Sequence, residues 1–135
     1  MHEPRWVPRI VVEALHFDQV REHGGLPGLR DEGLLEAALA RARRRWSYRH
    51  RPDIAAPAAA YGFGIVRDHP FRDGNKRAAF LTTVVFLELN GRRFDAPEAT
   101  VVTTMLSVAA GDVTETQLAA WIRRSLSPRA PSDWA

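Results

Sequence analysis

One stretch of fifteen residues, Lys76 to Asn90 (KRAAFLTTVVFLELN), constrains this chain more than any other. Ala79, Leu81, Val84, Val85, Phe86, Leu87 and Leu89 leave it little polar surface, and a helix that is apolar nearly all round has to be buried among other elements. Gly91 follows in the position of a helix C′ residue. The chain must therefore supply enough surrounding structure to cover a central helix. Immediately ahead of that helix lies a dense polar segment, His69-Pro70-Phe71-Arg72-Asp73-Gly74-Asn75-Lys76-Arg77. Any account of function has to say why a base, an acid, an amide and several cations collect at the start of a core element.

The covering elements read as further helices, so the expected fold class is all-α, a compact helical domain around a buried central helix. Residues 8–23 place Ile10, Val11, Ala14, Leu15 and Val20 on a broadly helical stripe, and Gly24-Gly25 stops it. Asp31 suits the N-cap of a short helix with Leu34, Leu35, Ala38 and Leu39 on one side. Asp53 is placed to cap a third helix that brings Ile54, Ala58, Tyr61, Ile65 and Val66 inward, with Pro57 tolerated only in the first turn. Asp95-Ala-Pro-Glu98 has the form of a capping box opening a helix to about Ala110, with Gly111 behind it. Thr114 and Gln117 have the same form ahead of Leu118, Trp121, Ile122 and Leu126. No run alternates with the period of a clear strand, and only Arg92–Phe94 and Arg45–Tyr48 suggest short extended pieces. With 135 residues the expectation is a single domain over 1–127 and a disordered tail over 128–135.

Composition narrows the chemistry. Cysteine is absent, which excludes disulfides, thiolate nucleophiles and thiolate metal sites. The N-terminal residues lack the apolar core of a signal peptide, and no run reaches the length of a membrane helix, so the chain reads as soluble and cytoplasmic. A net charge of +3 favours anionic partners without choosing among them. Of the 19 Lys and Arg residues only Lys76 is a lysine, inside the polar segment. The arginine-rich run Arg41–Arg51 is read as a solvated connector; with Trp46 and Tyr48 it gives no base-reading geometry, so direct nucleic-acid binding is not expected.

The polar segment holds a recognisable set of parts. Gly74 and Asn75 fall at the start of the central helix, where free backbone N–H groups and the positive end of the macrodipole favour an anion. Lys76 and Arg77 in the first turn add positive charge where the dipole disfavours it, which makes sense if a polyphosphate sits in front of them. Asp73 is a carboxylate beside that cradle, and Mg²⁺ commonly takes one or two carboxylates together with substrate phosphates. His69 is a candidate general base, because an imidazole titrates near neutral pH. A positioned polyphosphate, a metal and a base are what phosphoryl or nucleotidyl transfer requires. The remaining histidines, His2, His16, His23 and His50, show no paired spacing for a transition metal.

HPFRDGNKR resembles the core motif of the Fic/Doc superfamily, H-P-F-x-D/E-G-N-G/K-x-x-R. Lysine after the asparagine, with Arg and two small residues behind it, is similar to the Doc branch, the death-on-curing toxins of toxin–antitoxin pairs. ALHFDQVREHGG, GLRDEGLLEAALAR and AAAYGFGIVRDHPF are also similar to that branch, so the resemblance covers most of residues 10–94. It implies that His69 takes a proton from a target hydroxyl, Asp73 holds Mg²⁺ against the phosphates of ATP, Gly74, Asn75, Lys76 and Arg77 bind the nucleotide, and Phe71 is structural. In the Fic branch a Gly stands at the position of Lys76 and a second Arg at that of Phe80, and AMP is transferred; both departures match the branch that transfers the γ-phosphate. The implied target is a threonine of elongation factor Tu, whose phosphorylation blocks translation.

The resemblance also implies partners. The inhibitory pattern of the Fic branch, Ser/Thr four residues before Glu-Gly or Glu-Asn, is not met, because Glu32-Gly33 has Gly28 at that position. Control then falls to an antitoxin whose C-terminal segment folds on binding near the site. The region before the third helix is implied to form a flap that pairs with the target. Two rival readings stand beside the Mg-dependent protein kinase: a nucleotidyl transferase moving AMP, and an inactive module that binds antitoxin or nucleic acid.

Overall fold

A computed structural model of the chain describes residues 2–47 and 53–128. Its elements in order are α1 (Arg9–His23), α2 (Glu32–Ser47), α3 (Ala55–Asp68), α4 (Asn75–Leu89), β1 (Arg92–Phe94), α5 (Glu98–Ala110), α6 (Glu115–Arg124) and β2 (Leu126–Pro128). The all-α class holds, with a small addition: β1 and β2 pair antiparallel, Arg92 opposite Pro128 and Phe94 opposite Leu126. Leu126, expected on the last helix, is therefore a strand residue, and Pro128, expected to begin the tail, ends that strand. The remaining tail residues, 129–135, lie outside the described residues. Among the described residues no helix is long and apolar enough to cross a membrane.

A buried central helix exists, but it is α3 rather than α4. α3 packs against α2, α4 and α6 and buries residues on every face, including Ala58, Ala60, Tyr61 and Ile65. Its small residues allow the close approach: a Cβ on Gly62 would stand 2.8 Å from the Thr83 hydroxyl of α4. Pro57 lies in the first turn, where its missing N–H costs no helical hydrogen bond. The Asp53 carboxylate accepts from the Ala55 N–H at 3.1 Å and also pairs with Arg123, which joins the start of α3 to α6. The Tyr61 hydroxyl accepts from the Val7 N–H at 3.0 Å, tying the N-terminal segment to α3, and burial raises the phenol above its ordinary pKa.

α4 is amphipathic in place of buried all round. Ala78, Ala79, Thr82, Thr83, Phe86 and Leu87 face the core, whereas Leu81, Val84 and Val85 are half-buried and Leu89 is exposed. α1 departs further from expectation. Its buried face is Val12, His16, Gln19 and Val20, while Ile10 is exposed. Asp31 caps α2 as expected, its carboxylate accepting from the Leu34 N–H at 3.0 Å. That helix runs on through the arginine-rich segment to Ser47, so Arg45–Ser47 are helical and not extended. Arg41 and Arg45, one turn apart, both bind Glu115 at the start of α6, and the Arg43 guanidinium lies over the Trp6 ring. In the region before α3, which the resemblance makes a flap, the chain is helical as far as Ser47, and residues 48–52, His50 among them, lie outside the described residues. Thr114 and Gln117 form the expected capping box of α6. The one expected at Asp95 does not form: Pro97 occupies the N-cap of α5 without a side-chain cap.

Candidate active site

α3 ends by turning left-handed at His69, with φ 53° and ψ 56°, the only non-glycine residue of positive φ among those described. Arg30 holds this turn in place. Its Nε donates to the His69 carbonyl at 2.7 Å and Nη2 to the Asp68 carbonyl at 2.8 Å, a cation on the helix's C-terminal oxygens. The chain then runs through buried Pro70 and Phe71 to Gly74, whose φ of 71° admits glycine and disfavours other residues. A Cβ at Gly74 would also fall 2.0 Å from the Gln19 amide nitrogen. No side chain caps the N-terminus of α4, so its first N–H groups are open to a ligand.

Asn75, 4% exposed, locks the loop. Its Oδ1 accepts from the Phe71 N–H at 3.0 Å and its Nδ2 donates to the Phe71 carbonyl at 2.9 Å, which fixes the orientation of the amide. The second Nδ2 hydrogen faces His69 Nδ1 at 3.2 Å. Nδ1 is then the accepting nitrogen, and the exposed Nε2 carries the hydrogen of the neutral ring. The Asn75 side chain is fully engaged in these contacts, so only its main-chain N–H is available to a ligand.

The connection between α1 and α2 braces the loop from outside. Arg30 and Asp31 donate through their N–H groups to the Pro70 carbonyl at 2.7 and 3.0 Å, and Leu29 forms an antiparallel bridge with Phe71. The Asp73 carboxylate accepts from the Gly74 N–H at 2.9 Å and the Leu26 N–H at 3.3 Å. Gly25 permits that approach, since a Cβ there would lie 2.9 Å from Asp73 Oδ2. From inside, His16 Nε2 lies 2.7 Å from the Asp73 carbonyl, and Gln19 Nε2 donates to the Gly74 carbonyl at 3.3 Å.

All six expected residues, His69, Asp73, Gly74, Asn75, Lys76 and Arg77, line one open cleft of about 290 Å³. Among the described residues no group of three or more His, Cys, Asp or Glu could hold a metal ion unaided. A cation at Asp73 would draw its other ligands from substrate oxygens and water, which is the usual manner of Mg²⁺. A second, larger groove of about 530 Å³ opens beside the cleft between α1, α4 and α5, and Lys76 and Arg77 line both. His16, Gln19 and Arg30 were not singled out from the sequence. Their signal was polar side chains at helical spacing on α1 and a glycine-rich turn, which a search for apolar periodicity passes over.

The chain is 36% identical over 112 residues to "Protein kinase doc" of Escherichia phage P1, covering 82% of this chain and 87% of that protein. It is 39% identical over 69 residues to "Toxin Doc" of Mycolicibacterium smegmatis, covering 50% of this chain and 53% of that one. The Fic/DOC family profile matches residues 6–87, a span that runs from the N-terminal segment through the cleft and into the last turn of α4. The chain belongs to the Fic/DOC family.

Proposed function

We propose that the chain is a Doc-type toxin that uses Mg²⁺ and ATP to phosphorylate a Ser or Thr hydroxyl of a translation factor such as elongation factor Tu, acting in the cytoplasm. One observation carries the reading: His69, Asp73, Lys76 and Arg77 share a single cleft at the uncapped N-terminus of α4. The free N–H groups and the two cations suit a polyphosphate. Asp73 is the carboxylate beside them and would hold Mg²⁺, whose bound charge neutralises phosphate oxygens.

His69 Nε2 is the atom that faces an incoming hydroxyl. Taking its proton requires the lone pair on Nε2, so the hydrogen must sit on Nδ1 and the 3.2 Å contact with Asn75 must loosen. A hydrogen bond of that length is easily exchanged, and catalytic hydrogen bonds often tighten or rearrange only once substrate is bound. Lys76 fills space that a glycine would leave for close approach to the backbone, and Phe80 stacks edge-on against Phe94 with centroids 5.6 Å apart, offering no charge to outer phosphates. Both features favour the γ-phosphate beside His69. Asp73, Lys76 and Arg77 hold and orient the donor, and His69 accepts the hydroxyl proton.

The antitoxin belongs in the neighbouring groove. Leu15, Leu81 and Met105 line it, and Gln19, His23, Lys76 and Arg77 form its boundary with the cleft. An amphipathic helix seated there would lie against the nucleotide site. The test is to incubate the protein with Mg²⁺, a candidate translation factor, and ATP labelled at either the γ or the α position. Label is expected from γ only, and Lys76→Ala is expected to lose most of it. Label from α would favour nucleotidyl transfer. No label on a target that the toxin demonstrably disables would sink both.

A further inference from the structure

His16 is a buried imidazole, 2% exposed, on the one face of α1 that meets the motif loop. Its Nε2 lies 2.7 Å from the Asp73 carbonyl, and because a carbonyl oxygen only accepts, that nitrogen carries a hydrogen. The ring also stacks on Phe71, with centroids 3.8 Å apart and planes 8° from parallel. Phe71 in turn holds Asn75 through both main-chain groups, and Asn75 faces His69. One side chain therefore touches the loop at two places, Phe71 and Asp73. One turn further along α1, Gln19, 5% exposed, donates to the Gly74 carbonyl.

The consequence follows from peptide geometry. In a trans peptide the carbonyl and the next residue's N–H point in opposite directions. Drawing the Asp73 carbonyl toward α1 turns the Gly74 N–H away from it, and there that N–H meets Asp73 Oδ1 at 2.9 Å. The orientation of the carboxylate thus depends on the peptide that His16 holds. The Gly74 carbonyl is held both by Gln19 and by the Ala78 N–H, at 3.0 Å the first bond of α4, and the Asn75 N–H on the other side of that peptide points away from both.

We propose that His16 is a positioning residue for the cleft, with Gln19 as its partner: α1 holds the Asp73 and Gly74 carbonyls back so that the Asp73 carboxylate and the first amides of α4 face the ligand. This rests on the reading of the cleft as a nucleotide site only for what the ligand is. Packing alone would be served equally by an aromatic hydrocarbon at position 16. The orientation requires the donor.

Two variants separate these roles. His16→Phe keeps a ring against Phe71 and loses the donor, whereas His16→Gln keeps a donor at the equivalent atom and loses the ring. In nucleotide-free protein the amide proton and nitrogen signals of Gly74 and Asn75 are expected to move in His16→Phe and to stay near wild type in His16→Gln. Loss of one buried hydrogen bond should also raise the KM for ATP roughly tenfold in His16→Phe, with His16→Gln restoring most of it. Amide signals and KM unchanged in His16→Phe would overturn the proposal. So would equal losses in both variants in step with their melting temperatures, since that pattern describes packing alone. The amide signals are read without nucleotide, so their outcome is independent of whether the wild-type protein transfers phosphate.

Discussion

At His69 function and stability pull against each other. Its left-handed backbone costs an L-residue about 1–2 kcal/mol, strain of the kind that persists where surrounding structure enforces it. The Arg30 clamp on the Asp68 and His69 carbonyls is that enforcement. His69→Gly should therefore be at least as stable as wild type: relief of the strain is offset only in part by the roughly 0.5–1 kcal/mol that glycine's extra unfolded-state freedom costs. His69→Ala keeps the strain and should melt no higher than wild type. Both should lose roughly 10²–10⁴ in transfer rate if the imidazole is the base. Thermal denaturation and the labelling assay decide it, and a glycine variant that melts well below wild type would show that the side chain, not the turn, was holding the loop. The motif residues could be found in the sequence because they sit within nine positions. His16 could not, because its partner Asp73 is 57 residues away and the burial of a polar side chain leaves no apolar periodicity.

Among the elements, those whose ends are set by local chemistry were readable, and those shaped by what they face were not. The α6 capping box was foreseen because Thr114 and Gln117 satisfy each other's backbone groups within four residues. Asp95 and Glu98 offer the same pattern, yet Pro97 occupies the N-cap position, and Asp95 follows β1, its N–H bonded to the Ser125 carbonyl at 2.7 Å. The pair makes a direct comparison. Thr114→Ala should cost about 1 kcal/mol, or about 3–5 °C in Tm, while Asp95→Ala should stay within about 0.5 kcal/mol. Equal losses in thermal unfolding would restore the Asp95 cap. The stripe expected on α1 was met only in part, for a different reason: Val12 and Val20 are buried, but where the inner face meets the polar loop His16 and Gln19 stand in place of aliphatics. α4 misled in the opposite sense. Its excess of apolar residues overstated burial, since Phe80 and Leu81 line the open groove.

Across the whole molecule, that excess points to a partner. Val102 and Leu106, one turn apart on α5, are 53% and 52% exposed, and with Leu15, Leu81 and Met105 they give the groove an apolar wall. Asp18, Glu22 and Glu98 lie along the same groove, whereas its boundary with the cleft is cationic at Lys76 and Arg77. An occupant with an apolar helical face and acidic residues toward the cleft would satisfy both walls and would block the anion site at the same time. Leu106→Glu puts a charge on the exposed part of the apolar wall, away from His69 and Asp73. As a half-exposed surface change it should alter folding stability by no more than about 0.5 kcal/mol. Transfer of γ-label should be unchanged. Loss of an apolar anchor, with a charge introduced against the partner, should weaken antitoxin binding roughly thirtyfold or more. Growth of cells expressing both proteins reads the same effect, because the variant should remain toxic at antitoxin levels that silence the wild type. A variant that the antitoxin binds and silences as before would place the antitoxin on another face of the molecule.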